Sequence, residues 1–382
     1  MALLTRYVDH SLSTGLNDGT SEANAWWFLY KMTAAIKTDA GTNNYKVYVK
    51  ASETYGTDGT SPNPAESDDA GHDGAGGDAG AVIYLDQGSP GATMPNVIEG
   101  YAATPGDGGI VTIDCAYDGA NKLTNGIWMG QSVSYNTVFK NFDVVNASGD
   151  GFFGSNLANI LTFKNCRFKG NGSEGITGNN DFALENCILD GNGADGIDLD
   201  NNVFLLSCIS RNNTLQGLHS LGNVIIYNTL VYDNGNVEQI INQGSVCVLG
   251  CTIDANNGAA SRCFRQDANT SRTFIANSII FDGAIGILCD DDIGEMNISR
   301  NCLFNSNIDD ASNFLVEYDG GDGAPATGNG VGDLGHVTGV PGFTGTYLPG
   351  SNAQSAALDH QYTNNFWASF DAADNPPEPE NE

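Results

Sequence analysis

Apolar and polar residues alternate in short runs over residues 125–307, and the runs themselves recur. The dipeptide Asn-Cys, or its nearest equivalent, marks the phase. Its second residue falls at Phe142, Cys166, Cys187, Cys208, Thr229, Cys251, Ser278 and Cys302, in steps of 21 to 27 residues. Apolar side chains stand five and three positions before the marker, as in Leu161 and Phe163, Phe182 and Leu184, Val203 and Leu205, Val224 and Ile226, Val246 and Val248. Another stands two positions after it, as in Val144, Phe168, Leu189, Val231, Ile253, Ile280 and Phe304. Period 2 on each side predicts β-strands. The phase slips by one at Asn141, Asn165, Asn186, Asn228, Asn277 and Asn301. The chain must bend there, and asparagine tolerates the left-handed backbone such a bend needs. One extra residue near Arg300 reads as a bulge.

A second marker, glycine then an apolar residue, starts each coil: Gly126-Ile127, Gly151-Phe152, Gly175-Ile176, Gly196-Ile197, Gly217-Leu218 and Gly286-Ile287. Gln239-Ile240 and Cys263-Phe264 fill the same slot. Positive φ is the expected reason for these glycines. Each repeat is then a short strand, a turn, two strands bent at asparagine, and a return loop such as Lys169-Gly170-Asn171. Several short strands per repeat, with like residues in register, predict an all-β fold, a single-stranded parallel β-helix. A leucine-rich repeat would need L-x-x-L-x-L-x-x-N, which is absent, and a propeller blade would need about 40 residues. Coils about 4.8 Å apart would stack Cys166, Cys187 and Cys208 as an interior ladder. Parallel side chains then hold Cβ atoms about 4.8 Å apart where a disulfide wants about 3.8 Å, so reduced thiols are expected.

The open ends of such a helix need caps. Residues 22–37, with Trp26, Trp27, Phe28, Leu29 and Tyr30, read as an amphipathic capping helix. A strand at Lys46–Lys50 precedes a Gly/Asp-rich loop, 57–80, whose Asp68, Asp69, Asp73 and Asp78 could hold calcium. The EF-hand ligand order is missing, which favours a solvated loop. The expected organisation is an N-terminal cap and first strand at 1–55, loop-rich first coils at 56–124, regular coils at 125–310, and a C-terminal cap with acidic tail at 311–382.

Tyr7-Val8-Asp9, Asn17-Asp18-Gly19-Thr20-Ser21 and the aromatic helix before Val47-Tyr48-Val49 resemble the opening of the pectate-lyase-like right-handed β-helix superfamily. Ile98-Glu99-Gly100-Tyr101 with Thr104-Pro105-Gly106-Asp107 resembles its first coil. Val340-Pro341-Gly342-Phe343 and Tyr347-Leu348-Pro349-Gly350-Ser351 resemble its C-terminal segment. The resemblance implies right-handedness. It leaves function open among polysaccharide lyases, glycosidases, epimerases, and phage tailspikes and fibres.

Composition narrows this. The 382 residues carry 15 Lys+Arg against 46 Asp+Glu, a net charge of −31, with only 16% charged residues and 49 glycines. The acidity comes from missing bases. It excludes nucleic-acid binding, which needs a basic footprint, and docking on anionic lipid. No apolar run is long enough to span a bilayer, so membrane insertion is not expected. No export signal is visible after Met1. The nine cysteines match no zinc spacing. No cofactor is required; calcium is the one ion the acids could take up.

The candidate chemistry lies on one row. The residue after each coil-start apolar position should face solvent, giving Trp128, Phe153, Thr177, Asp198, His219, Ile241, Arg265 and Leu288. Rings beside an acid, a histidine and an arginine suit a glycan groove, so Trp128, Phe153, Asp198, His219 and Arg265 are glycan-binding candidates. Asp198, His219 and Arg265 are also the candidates for acid–base catalysis. Glu174, Asp195 and Asp200 border the acid end. An ordinary solvent face, or a subunit contact covering Ile241 and Leu288, is the plainer reading. The R-x-x-P-x-x-R stretch of pectate lyases, the N-T-D and R-I-K signatures of polygalacturonase-like hydrolases, and the D-P-H-E of alginate epimerases are absent.

The function expected from the sequence is therefore a structural β-helix on a virus-particle surface, a fibre, tailspike-like protein or capsid decoration, touching host glycan. It would sit on the virion or outside the cell without a signal peptide. Its partners would be its own copies in a trimer, other virion proteins, and cell-surface polysaccharide. The alternative is a polysaccharide lyase or glycosidase acting on an acidic polysaccharide.

Overall fold

The computed structural model describes residues 2–305, apart from 57–80, 88–94, 290–297 and several shorter stretches, and beyond them the strands Val316–Tyr318 and Val337–Thr338. Asp68, Asp69, Asp73 and Asp78 lie outside the described residues, as do most of the C-terminal cap and the acidic tail. Among the described residues nearly all regular structure is β-strand, paired parallel except for one two-residue hairpin. The chain is a parallel β-helix. It divides into two compact units, Met1–Val203 with Asn213–Leu215, and Phe204–Asn212 with Gln216–Glu382.

In the first unit, the residues before the marker build one parallel sheet from the strands Ala2–Val8, Asn43–Lys50, Asn96–Tyr101, Thr137–Lys140, Ile160–Lys164 and Asp181–Glu185. The register sets Phe139, Phe163 and Leu184 side by side, all fully buried. Residues after the marker form a second sheet, including Phe142–Val145, Arg167–Lys169 and Ile188–Asp190. The coil-start residues form a third, from Ala81–Gln87, Asn125–Ser132, Phe152–Gly154, Ile176–Gly178 and Ile197–Leu199. The inward rows meet between the sheets. Phe163 stacks on Phe139 at 5.4 Å and meets Phe168 edge-on at 5.2 Å. Each such ring contributes about 2–3 kcal/mol by burial.

The bend at the marker takes the predicted form. Asn141, Asn165, Asn186, Asn228 and Asn277 all have φ between 52° and 63°, and Ser207 adopts the same conformation. The marker residue then returns a hydrogen bond to the carbonyl two positions back. Cys166 Sγ donates to Lys164 O at 3.3 Å and Cys187 Sγ to Glu185 O at 3.4 Å. In the second unit Cys208, Thr229, Cys251 and Ser278 do the same at 2.9–3.4 Å. The thiols are reduced and buried, as stacking geometry requires, and serve as small apolar donors interchangeable with Thr and Ser. Burial pushes the Cys251 thiol up to about 12, so it stays protonated.

The coil-start glycines differ from expectation. None of Gly126, Gly151 and Gly175 has positive φ. They are glycine because the backbone passes too close to its neighbours: a Cβ on Gly126 would lie 2.1 Å from Val144 Cγ1, and one on Gly175 2.6 Å from Gly196 O. The left-handed conformation falls instead in the return loops, at Asn146, Gly170, Gly191, Asn212 and Asp233. Buried asparagines follow it, with Asn171 Nδ2 donating to Asn192 Oδ1 at 3.0 Å and Asn192 Nδ2 to Asn213 Oδ1 at 2.9 Å. Each coil therefore satisfies the next.

The capping helix also starts later than its pattern suggests. A 3-10 turn at Glu22–Asn24, capped by Ser21, leads into Trp26, whose backbone bridges Val8. That pairing holds the chain extended, and the α-helix runs only over Leu29–Thr38. Leu29, Met32, Thr33 and Ile36 make its buried stripe, packed against Ala81–Gln87 and Asn43–Lys50. Ala81–Gln87 is the terminal strand of its sheet, the place a cap must cover.

The second unit repeats the plan, with pre-marker strands Val224–Tyr227, Val246–Leu249, Thr273–Ala276 and Ile298–Arg300. Its coil-start strands include Leu218–Ser220, Glu238–Asn242, Arg262–Gln266 and Ile285–Cys289.

Candidate functional site

In the first unit the outward row of the coil-start sheet is Tyr84, Trp128, Phe153, Thr177 and Asp198, one residue per strand in register. Period 2 turns this row outward because Ile127, Phe152, Ile176 and Ile197 point in and are fully buried. The row does not stand open to solvent throughout. Trp128 is only 7% exposed, with Tyr84 stacked on it at 4.4 Å and 8° and Phe153 at 6.4 Å and 12°. Rings in register stack along the coil axis, so neighbours occupy both faces of Trp128. Phe153 is half-buried and ends the ladder, since its next neighbour in register is Thr177. Thr177 and Asp198 are half-buried.

A column of acids borders this row, one residue before each coil-start glycine: Asp150, Glu174 and Asp195, on a foot at Asn125. Asp150 and Asp195 are buried. Asn125 Oδ1 accepts from Asp150 N at 3.4 Å, and Asp150 Oδ1 accepts from Glu174 N at 3.2 Å. Ser173 Oγ donates to Glu174 Oε2. Burial first, and then the adjoining Glu174 carboxylate, hold the Asp150 carboxyl well above the ordinary carboxylate range. Asp150 thus holds a proton more tightly than an ordinary carboxyl does.

In the second unit the same row reads His219, Ile241 and Arg265 in register. Ile241, expected to be exposed, is buried at 9%. The Leu288 side chain lies outside what the structure describes. Arg265 is an ion-paired group: its Nη1 lies 3.5 Å from Glu238 Oε1 and its Nη2 3.1 Å from Asp267 Oδ1. Arg262, on the same strand, holds Glu238 Oε1 at 2.5 Å. Glu238 is buried and occupies the acid-column position of its coil.

Sequence reasoning thus found the row and its order. It missed Tyr84, because the preceding Gly/Asp-rich loop hides the coil period, and it missed that Glu238 and Arg262 neutralise each other. The register Glu238↔Arg262 was legible once the coils were aligned. Asp198 falls in the first unit, and His219 and Arg265 in the second.

No protein-family model matches the sequence, nor does any characterised protein at the level of sequence. In fold, the chain is similar to the pectate lyase Pel9A, with a TM-score of 0.44 and 14% identity over 88% of this chain and 79% of that one. It is also similar to the A-module of the mannuronan C-5 epimerase AlgE4 of Azotobacter vinelandii, with a TM-score of 0.41 and 14% identity over 87% and 97%. A rhamnogalacturonan lyase follows, with a TM-score of 0.30 and 11% identity over 77% and 84%.

Proposed function

We propose that the chain is a carbohydrate-binding β-helix that seats a neutral sugar ring over Thr177, between the ring of Phe153 and the carboxylate of Asp198. The observation that carries this is the end of the aromatic ladder. Tyr84, Trp128 and Phe153 cover one another, whereas the residue in register beyond Phe153 is the small Thr177. Two strand spacings, about 9.6 Å, separate the Phe153 and Asp198 positions. A pyranose fits such a gap, with its apolar face on the ring and its hydroxyls donating to the carboxylate. A uronate is disfavoured, because Glu174 and Asp200 flank Asp198 and the chain carries −31.

Binding is preferred to bond cleavage because Arg265 already shares its guanidinium between Glu238 and Asp267. Calcium is not required. Display on a virus-particle surface is the setting we propose: one slot of this size binds weakly, and repeated copies turn weak binding into firm attachment. The competing reading is a lyase or glycosidase acting on an acidic polysaccharide.

Calorimetric titration of the full chain with xylohexaose, cellohexaose, mannohexaose and hexagalacturonate separates the two, with product formation followed in parallel. A neutral hexasaccharide should bind, Phe153→Ala should weaken it by about tenfold or more, and Asp198→Asn by less. Silence from every neutral sugar, or product from hexagalacturonate that disappears in His219→Ala, would overturn the reading.

A further inference from the structure

The pre-marker strands of the second unit break the rule of apolar-in and polar-out. They read Val-Phe-Leu-Leu at 203–206, Val-Ile-Ile-Tyr at 224–227, Val-Cys-Val-Leu at 246–249 and Thr-Phe-Ile-Ala at 273–276. The inward residues Leu205, Val224, Ile226, Val246, Val248 and Ile275 are buried, as the core requires. The outward ones are apolar as well: Phe204, Ile225, Cys247 and Phe274 in one row, Leu206, Tyr227, Leu249 and Ala276 in the next. Phe204 is 39% exposed and Ile225 48%. Leu206, Cys247, Leu249 and Phe274 are half-buried, Ala276 is buried, and none of these eight residues is charged; the next strand, Ile298–Arg300, sets Arg300 in register with Ala276. Continuous apolar strands are the pattern of a sheet covered on both faces.

We infer that this face is a self-association surface, covered by the same face of a second copy of the chain. Charge selects that occupant. Two chains of −31 repel wherever carboxylates meet, and these four strands, which carry no outward carboxylate, are where they can approach at least cost. A two-fold axis through it sets apolar rows on apolar rows, each self-complementary. Strand spacing and rise give the patch roughly 250 Å², about a third of the ~800 Å² that each partner supplies to a standard interface. The pair is therefore weak and reversible, and salt tightens it by screening the repulsion around the apolar contact. This surface shares no residue with the sugar slot, so either can fail alone.

Sedimentation equilibrium of the full chain over a concentration series, at about 0.05 M and about 0.5 M salt, tests it. The average mass should rise above one chain with concentration, more so at high salt. Ile225→Asp should weaken association by about tenfold or more. Ile160→Asp, at an equally exposed apolar residue of the first unit, should leave it unchanged. A short bis-maleimide should link two chains through Cys247, and Cys247→Ser should abolish the link; this readout stands even if Ile225→Asp folds poorly. A single-chain mass under every condition, or association that Ile225→Asp and Cys247→Ser leave untouched, would overturn the inference. Capture by a lipid vesicle or a different protein in place of self-association would overturn it too.

Discussion

The two units build their pre-marker sheets on the same inward plan and differ outward, above all in the row two before the marker. In the first unit the outward rows read Val97, Val138, Thr162, Ala183 and Glu99, Lys140, Lys164, Glu185. Glu99 lies 3.7 Å from Lys140 and 3.8 Å from Lys46, and Lys164 pairs with Glu185. In the second unit the corresponding positions, four and two before the marker, are Phe204, Ile225, Cys247, Phe274 and Leu206, Tyr227, Leu249, Ala276. The fold dictates one row in two and leaves the other free. Outward composition therefore reports what each face meets: water for the first, a dry surface for the second.

The largest expected effects lie where the units agree. Phe163→Ala and Ile226→Ala remove equivalent inward side chains and should each cost about 2–5 kcal/mol in urea unfolding. A loss in one unit without the other would break the claim of a common inward plan. Cys187→Ala should cost about 1–2 kcal/mol, since it removes buried volume and the thiol's weak hydrogen bond, while Asn165 N still donates to the Glu185 carbonyl at 2.9 Å. Cys187→Ser should cost less, because Ser278 already plays that part.

Titration separates the acid column from both outward faces. Asp150 is held above its unfolded value, so the folded chain binds the extra proton once pH exceeds the ordinary carboxylate range. Stability from this group is full below that range and declines as pH rises toward the Asp150 value, by at most about 1.4 kcal/mol per pH unit. Asp150→Asn should flatten that slope in unfolding curves taken across pH. The smallest effect belongs to the charged face: Lys164→Met, at a partly exposed pair, should change stability by about 0–1 kcal/mol.

Much of this was legible in the sequence because a coil repeats its constraints. The asparagine bend, the inward rows and the reduced cysteine ladder follow from period and phase. The glycine slot was legible and its cause was not, since a close approach to Val144 or Gly196 exists only once sheets are assembled. The helix start was misread because the pairing of Trp26 with Val8 is a tertiary contact that overrides local pattern. At the candidate site the order Phe153, Thr177, Asp198 was in the sequence. That rings in register consume each other's faces, leaving Trp128 buried and Phe153 as the end of the stack, is a property of stacking.

One measurement tests the contrast of faces most directly: sedimentation equilibrium of two exchanged variants beside the unaltered chain. Tyr227→Lys with Leu249→Lys gives the second unit the outward lysines of the first, and Lys140→Leu with Lys164→Leu does the reverse. The account predicts that the first exchange yields a single-chain mass at all concentrations and that the second strengthens association. Masses that follow neither exchange would contradict it.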